Sequence, residues 1–505
     1  MRKLPIQLFL LLTLCAIITL PNIATQGLTS SEGHRVIPAL EMLDTNNHLV
    51  PHMFSQPYVR KPQLVPWIFA AALSINPDLP PELPTRIASA IAFTLMVLAS
   101  FFFARSWFGK RAGFPTALAL ALTPLYWSPA RAAEIESIHN LLTALGAWIT
   151  LHLLLQSAKH KPAWSIALGA TALLMLLTKG PAGFSIFLAL ITAQSILTRS
   201  YKPLFKPTIL LPIATATILF LIHWSNTLAA AGPSAITQAP SAFMFEPNRI
   251  PKLLAFIPVS LLTALPITLA LLFPWGADAK SEAQPESKSQ AQLHTAKLIA
   301  LSIPLALLIM NITGVSNDRY AQPILTAAAP LVGWILTINL LPHRKKILQV
   351  LTLGSPTILA TILVLASLYL TTVYEPNHPN TSGKPPAQLL AKQLAAALPP
   401  HHYTLVADAM IEARPETLLY LQRALANTPH QLTIHWIPKL DPQRLADLAQ
   451  TTNQPLLALL RTDQNADESD KVLIHNAIAT GTVHEFRFTL VALDLNTTQN
   501  NNEIP

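Results

Sequence analysis

The chain has 505 residues and a formal net charge of +9; 51% of its residues are hydrophobic and only 12% are charged. Soluble chains carry about 25% charged residues, so a mean hydropathy of +0.41 with half the usual solvating charge excludes a soluble enzyme and a disordered chain. The basic excess does not call for nucleic acid, because most Lys and Arg lie in short loops between apolar runs, where they set orientation in a bilayer. Cys15 is the sole cysteine, which leaves neither an intramolecular disulfide nor a cysteine metal cluster.

The apolar residues come in runs of about 16–22, the length that crosses a hydrocarbon core as a helix. The first, roughly Ile6–Ile23 behind Met1-Arg2-Lys3, is long for a signal-peptide core and reads as an uncleaved anchor. Further spans are predicted near 86–104, 114–128, 138–156, 163–179, 181–197, 208–224, 252–273, 296–312, 320–341 and 347–373. The fold class is therefore an α-helical multi-pass membrane protein with about eleven spans. Gln63–Ile75 is apolar but short, and reads as an interfacial or re-entrant piece. Many of the 44 prolines sit at the ends of these runs and in the loops, where they break helices.

With the N-terminus inside, the loops carrying Arg105, Lys110 and Arg111, then Lys159 and Lys161, then Arg199, Lys202 and Lys206, then Arg344, Lys345 and Lys346 all fall inside, as the positive-inside rule requires. The polar stretch 276–295 falls inside as a flexible linker. Residues 1–375 thus form a transmembrane domain with a long first outer loop, 24–85.

From about Thr372 the pattern changes. β-rich runs at Tyr403–Ala407, Gln431–Ile437, Pro455–Arg461 and Thr482–Leu493 alternate with helical patterns at Pro415–Leu425, Pro442–Ala449 and Asp470–Ile478. That alternation predicts a small α/β domain over 376–495, extracytoplasmic by span count, with 496–505 as a disordered tail.

The same count places the loops 24–85, 129–137, 178–181, 225–251 and 313–319 on the outer side, and each carries ionisable residues at a membrane boundary. Such residues are costly there unless paired or functional. The first loop holds Glu32, His34, Arg35, Tyr58, Arg60 and Lys61; the second holds Arg131, Glu134 and Glu136. A tight Thr178-Lys179-Gly180-Pro181 turn follows, then Glu246 and Arg249, then Asp318, Arg319 and Tyr320. Arg60 and Lys61 also suit snorkelling anchors, and Arg131 with Glu134 or Glu136 also suits a structural ion pair. Lys179 is harder to explain in that way, because it opposes the inside-positive bias. His34, His48 and His52 share a loop at spacings that fit no standard metal motif.

Cations at the outer edge of a bilayer suit the phosphate of a lipid-linked donor. A carboxylate beside them suits deprotonation of an acceptor hydroxyl, while a phosphate leaving group needs cations more than a general acid. Sugar transfer from a polyprenyl phosphate meets both requirements.

Four motifs carry a resemblance. Glu32-Gly33-His34-Arg35-Val36-Ile37-Pro38, continued by Pro57-Tyr58-Val59-Arg60-Lys61-Pro62, resembles the first outer loop of glycosyltransferase family 39-like enzymes. These are the bacterial relatives of protein mannosyltransferases and the lipid A aminoarabinose transferases. Ala130-Arg131-Ala132-Ala133-Glu134-Ile135-Glu136 resembles their second outer loop, Leu177-Thr178-Lys179-Gly180-Pro181 their Leu-Thr-Lys-Gly-Pro turn, and Asp318-Arg319-Tyr320 with Pro323 their Arg-Tyr-x-x-Pro element.

The resemblance implies a GT-C fold with an outward-facing cavity and inverting transfer from a polyprenyl-phosphate sugar to a lipid, glycan or protein acceptor at the inner membrane. It implies that Glu32, or alternatively Glu136, acts on the acceptor. It places Lys61, Arg60, Lys179 and Arg319 at the donor phosphate with Tyr320 near it, and His34, Tyr58, Arg131 and Glu134 in support. A divalent metal between acidic residues is a feature it leaves open, and no other cofactor is implied. Ser31-Glu32 stands where many relatives have Asp-Glu, and Arg60-Lys61-Pro62-Gln63 where many have Glu-Lys-Pro-Pro. A transporter or flippase, and a non-catalytic binder of lipid-linked sugar, are the rival readings. The first would place its charges at the bilayer midplane, and turnover separates the enzyme from the second.

Overall fold

A computed structural model describes residues 3–25, 27–155, 161–233, 250–264, 267–268, 286–312 and 318–336. In the C-terminal part it describes 387–398, 402–407, 410–411, 414–426, 431–435, 442–452, 455–461, 477–483 and 486–492. The chain divides into two compact units. The first gathers Met1–Ile23, Arg60–Ile68 and Thr85–Leu370; the second gathers Ala24–Val59, Phe69–Pro84 and Thr371–Pro505.

The helices in chain order, up to the mid-chain gap, are α1 (Lys3–Thr19), α2 (Ser30–Thr45), α3 (Leu64–Ile75), α4 (Glu82–Phe108), α5 (Gly113–Ala121), α6 (Trp127–Arg131), α7 (Ile135–Leu155), α8 (Lys161–Lys179), α9 (Phe184–Thr198) and α10 (Pro207–Ala231). Beyond it lie α11 (Ile250–Thr263), α12 (Glu286–Ile312), α13 (Gln322–Ala328) and α14 (Pro330–Trp334). Among the described residues, five helical stretches are long and apolar enough to cross a membrane: Glu82–Phe108, Ile135–Leu155, Pro162–Thr198, Pro207–Ala231 and Gln290–Ile312. α10 shows why a bilayer is needed, for only 17% of its apolar window is buried and Leu211, Ile218 and Ile222 are exposed.

α7 is the hub of the first unit, packed against α8, α9 and α13, while α8 also packs on α10 and α9 on α12. α8 and α9 are two antiparallel arms of one hairpin. A Cβ on Gly146 would meet both the Phe187 ring and Thr171 Cγ2, and these two residues flank Lys179 at equal sequence distance. The turn between the arms is a short 3-10 segment, Gly180–Gly183, entered through Gly180 at φ +69°, a conformation that suits glycine. Beside it Leu176, Leu177 and Phe220 form an apolar cluster with Trp67, Phe184 and Trp224.

One run expected to span is broken by proline, and a second is interrupted by it without leaving helical backbone at Ala329. The 114–128 run is α5, then a 3-10 turn at Pro124–Tyr126, then α6. Pro124 holds Thr123 in extended backbone at φ −79°, ψ 113°, and nine residues of α5 reach only about 14 Å. The 320–341 run becomes α13 and α14, each with proline in its first turn, and its end lies outside the described residues. The last ten residues of the expected linker 276–295 are instead the opening turns of α12, where Ala, Gln, Lys and Glu favour helix. The 347–373 span lies outside the described residues, as do 265–266 and 269–273 of the expected 252–273 span, whose first twelve residues belong to α11.

In the second unit α2 opens on a capping box: Thr29 caps the helix while the Glu32 carboxylate accepts from Thr29 N at 2.8 Å. A hairpin follows, β1 (His52–Met53) with β2 (Gln56–Pro57). Its turn residues Phe54 and Ser55 both have positive φ, and their N–H groups donate to the Glu41 carboxylate. Burial raises the pKa of Glu41 against those hydrogen bonds.

The C-terminal strands are β3 (His402–Val406), β4 (Gln431–His435), β5 (Leu456–Arg461), β6 (Ala477–Val483) and β7 (Phe486–Ala492), with helices α15 (Ala387–Ala397), α16 (Pro415–Leu425) and α17 (Pro442–Thr452). They form a five-stranded sheet of order β4-β3-β5-β7-β6. β3 is parallel to β4 and β5, while β7 is antiparallel to β5 and β6. The expected single run Thr482–Leu493 is thus the second arm of a hairpin. Most of the helix expected at Asp470–Ile478 lies outside the described residues, and its Ala477 and Ile478 belong to β6. The expected helix Pro415–Leu425 is α16, and α2 packs against it.

Candidate functional site

In the first unit the predicted charges meet at one end of the α7–α8 pair. These helices run antiparallel, so the N-terminus of α7 lies beside the C-terminus of α8. Helix dipoles favour a carboxylate at the first and a cation at the second, and the sequence supplies Glu136 in the first turn of α7 and Lys179 as the last residue of α8. Lys179 Nζ lies 3.2 Å from Glu136 Oε1, with their side chains 5% and 11% exposed. The same ammonium sits 4.0 Å from the centre of the Tyr320 ring, a cation–π geometry. Arg319 Nη1 lies 3.6 Å from Glu134 Oε2; its side chain is exposed whereas that of Glu134 is largely buried. Glu134, Glu136, Lys179, Arg319 and Tyr320, drawn from three separate stretches, form one charged cluster.

Lys61, half-buried at the start of the Arg60–Ile68 segment, belongs to the same unit and is within electrostatic reach of His139 on α7, as are Lys179 and Glu136. Arg60 is half-buried beside it. Two residues on, Gln63 is fully buried, donating to Thr227 Oγ1 at 2.8 Å and lying 3.2 Å from His223 Nε2. Arg131 ties down the end of α1, donating to the carbonyls of Ile18 and Pro21 at 2.7 Å each.

The other three predicted residues belong to the second unit. Glu32 is fully buried and caps its own helix. His34 stacks on Tyr58, ring centres 5.6 Å apart and planes 8° from parallel. Among the described residues no group of three His, Cys, Asp or Glu side chains could hold a metal ion.

Sequence reasoning passed over the groups that hold the cluster in place. His139, one turn along α7 from Glu136, is fully buried with Nδ1 at 3.0 Å from Thr178 Oγ1. Asn140 Nδ2 donates to Gln322 Oε1 at 2.9 Å. Tyr126 donates to the Gln322 carbonyl at 3.1 Å, and Trp148 Nε1 to the Ala327 carbonyl at 3.0 Å. α7 is thereby fastened to α8 beside Lys179 and to α13 just after Arg319 and Tyr320. The legible signal was the row Glu136, His139, Asn140 and Thr143, four polar residues on one face of an apolar helix.

Chemically, the cluster offers an ammonium shared between a carboxylate and a ring, a second cation at its exposed rim, and two carboxylates. An incoming phosphate can compete with Glu136 for Lys179 and with Glu134 for Arg319. A carboxylate released from its cation becomes a proton acceptor.

The comparisons agree with this architecture. Residues 60–225 match the family model described as dolichyl-phosphate-mannose-protein mannosyltransferase. The fold is similar to the crystal structure of ArnT from Cupriavidus metallidurans in the apo state, with a TM-score of 0.68 at 16% identity over 97% of this chain and 98% of that one. The structure of ArnT from the same organism bound to undecaprenyl phosphate gives a TM-score of 0.66 at 15% identity, covering 96% of this chain and 97% of that one. No curated protein sequence matches. The fold is the GT-C type of membrane glycosyltransferases, with a small sheet region near the C-terminus.

Proposed function

We propose that the chain is an inner-membrane glycosyltransferase that moves a sugar from a polyprenyl-phosphate donor to an extracytoplasmic acceptor, a lipid, a glycan or a protein hydroxyl. The observation that carries this reading is Lys179, a buried ammonium held 3.2 Å from Glu136 and 4.0 Å from the Tyr320 ring centre at the junction of two helices. Ionisable residues buried at a membrane boundary, paired or not, mark a functional site by default, and the ArnT structure of the same fold was solved with undecaprenyl phosphate bound.

In this reading Lys179, Arg319, Lys61 and Arg60 neutralise the phosphate as it departs from the anomeric carbon, and Tyr320 packs beside it. Phosphate binding draws Lys179 from Glu136, and the freed carboxylate accepts the proton of the attacking hydroxyl. Inversion at the anomeric carbon follows where the base and the departing phosphate lie on opposite faces of the sugar. Glu32 is the alternative base and would first have to leave the Thr29 backbone N–H. No step is assigned to a divalent metal. The C-terminal sheet lies on the extracytoplasmic side.

A non-catalytic binder of lipid-linked sugar is the second reading, favoured by the prior engagement of both carboxylates, Glu136 with Lys179 and Glu32 with Thr29. The deciding experiment is release of polyprenyl phosphate by the purified protein across a panel of lipid-phosphate sugars, with a host membrane extract as acceptor source. Release that is lost in Lys179→Ala, Lys61→Ala and Glu136→Gln supports the transferase. Binding of the donors without release supports the second reading.

A further inference from the structure

α7 and α8 are joined at the site by two cross-links of different character. One is the Glu136–Lys179 ion pair; the other joins His139, three residues along α7, to Thr178, the neighbour of Lys179. The proton on the second link can be assigned. Thr178 has a single hydroxyl hydrogen, and its oxygen donates at 2.5 Å to the Met175 carbonyl within its own helix. Thr178 Oγ1 is therefore the acceptor at 3.0 Å, and His139 must carry its proton on Nδ1. Nε2 is then a bare lone pair, buried and without a hydrogen-bond partner.

The two links answer differently to a phosphate. The ion pair must open if Lys179 is to turn to an incoming anion. The His139–Thr178 link is neutral, is fully buried and offers no charge for an anion to compete with. It fixes the last turn of α8 immediately before Lys179, where the chain leaves the helix at φ −139°, ψ 13° and enters Gly180 at φ +69°.

We propose that His139 is a positioning residue for Lys179: through Nδ1–H it pins Thr178, and so keeps the ammonium at the cluster when the Glu136 pair is released. Its effect on turnover rests on the function proposed above; its effect on Lys179 does not.

The test uses three substitutions in the full-length protein. His139→Asn places an amide N–H near the position of Nδ1–H, His139→Gln places its amide near Nε2, and His139→Leu supplies neither. Two readouts are taken on each variant. The first is kcat and KM for whichever polyprenyl-phosphate sugar reacts. The second is the rate at which an amine-acylating reagent modifies Lys179 relative to the exposed Lys202, read by peptide mass spectrometry at matched melting temperature. The expected result is near-wild-type behaviour for His139→Asn. His139→Gln and His139→Leu should lose turnover by about ten- to a hundredfold, the scale of a small misplacement of a reacting group. Their Lys179 should be acylated several times faster than in the wild type, whose side chain is only 5% exposed. Wild-type acylation in His139→Leu overturns the proposal, as does rescue by Gln with failure of Asn, which would make Nε2 the working atom. Absence of turnover in the wild type with every donor sinks the transferase reading, while the acylation rates still decide the role of His139.

Discussion

Glu136 and Lys179 are each the other's countercharge, and that reciprocity separates stability from activity at the residue scale. Removing one partner of a buried pair leaves a charge with nothing to balance it, at a cost of about 3–5 kcal/mol, whereas replacing both by neutral groups can cost almost nothing. Lys179→Met should therefore lower the melting temperature in detergent more than Glu136→Gln/Lys179→Met does, although both lack turnover. Equal melting temperatures would mean that the pair is hydrated and weak. Glu416 supplies a second test of this kind. It is fully buried on α16 beside Arg414, with Oε1 3.4 Å from the guanidinium and Oε2 without a hydrogen-bond partner. Burial pushes its pKa up to about 8, opposed by Arg414 and assisted by the nearby Glu32 carboxylate. The folded state thus holds a proton that the unfolded chain sheds above about 4.5. Stability contributed by the protonated form is present below that value and falls as pH rises to about 8, by about 1.4 kcal/mol per pH unit. Glu416→Gln should flatten this decline and resist pulse proteolysis of the C-terminal region better than wild type at pH 8.5. An unchanged pH profile would show that Glu416 is ionised. The charges themselves were legible in the sequence, but their pairing was not. Thr29-Ser30-Ser31-Glu32 fits a capping box as well as an acidic motif, and spacing alone cannot tell which use the carboxylate has.

At the scale of elements, hydropathy counts apolar residues but is blind to whether the helix continues through them. The 114–128 run was legible as apolar chain, yet Pro124 cuts it into pieces too short to span, and Pro330 interrupts the 320–341 run, whose end lies outside the described residues. Local pattern served best where an element's own residues mark its ends, as in α16, which opens on Pro415 and whose ends coincide with the expected Pro415–Leu425. Packing of the hairpin around α7 depends on what is missing from the sequence at one point. Gly146 leaves room for the Phe187 ring, and a Cβ there would press on it. Gly146→Ala should destabilise the bundle by about 1–3 kcal/mol, the usual cost of overpacking. Adding Phe187→Leu should recover part of that loss in a double-mutant cycle, because the bulk that clashes is the ring. Additive losses would place the strain elsewhere on α7.

At the scale of the whole molecule the sequence reads as a membrane domain followed by a separate tail after residue 375, and that linear division does not match the compact units. The second unit is built from Ala24–Val59, Phe69–Pro84 and Thr371–Pro505 together, an association no local pattern announces because its partners lie hundreds of residues apart. α2 is held against α16 at close range. A Cβ on Gly33 would come within 3.0 Å of Glu416 N and 3.1 Å of Pro415 Cγ. Tyr420 of α16 accepts from Leu28 N at 2.5 Å and donates to the Glu82 carboxylate. Residues that carry the first-loop motif, Glu32 among them, are thus buried by a helix from near the other end of the chain. Deleting 387–505 should leave α2 without that cover, so the truncated chain should be cut by trypsin at Arg35 much faster than the full-length protein. Tyr420→Phe should act in the same direction but more weakly, by the roughly 1–3 kcal/mol of an orphaned backbone donor. Turnover, if α2 matters to it, should fall along with protection across the series. Arg35 equally protected in the truncated chain would mean that α2 is buried by the remainder of the first loop alone. The C-terminal sheet would then be an appendage rather than part of the scaffold of the first-loop motif.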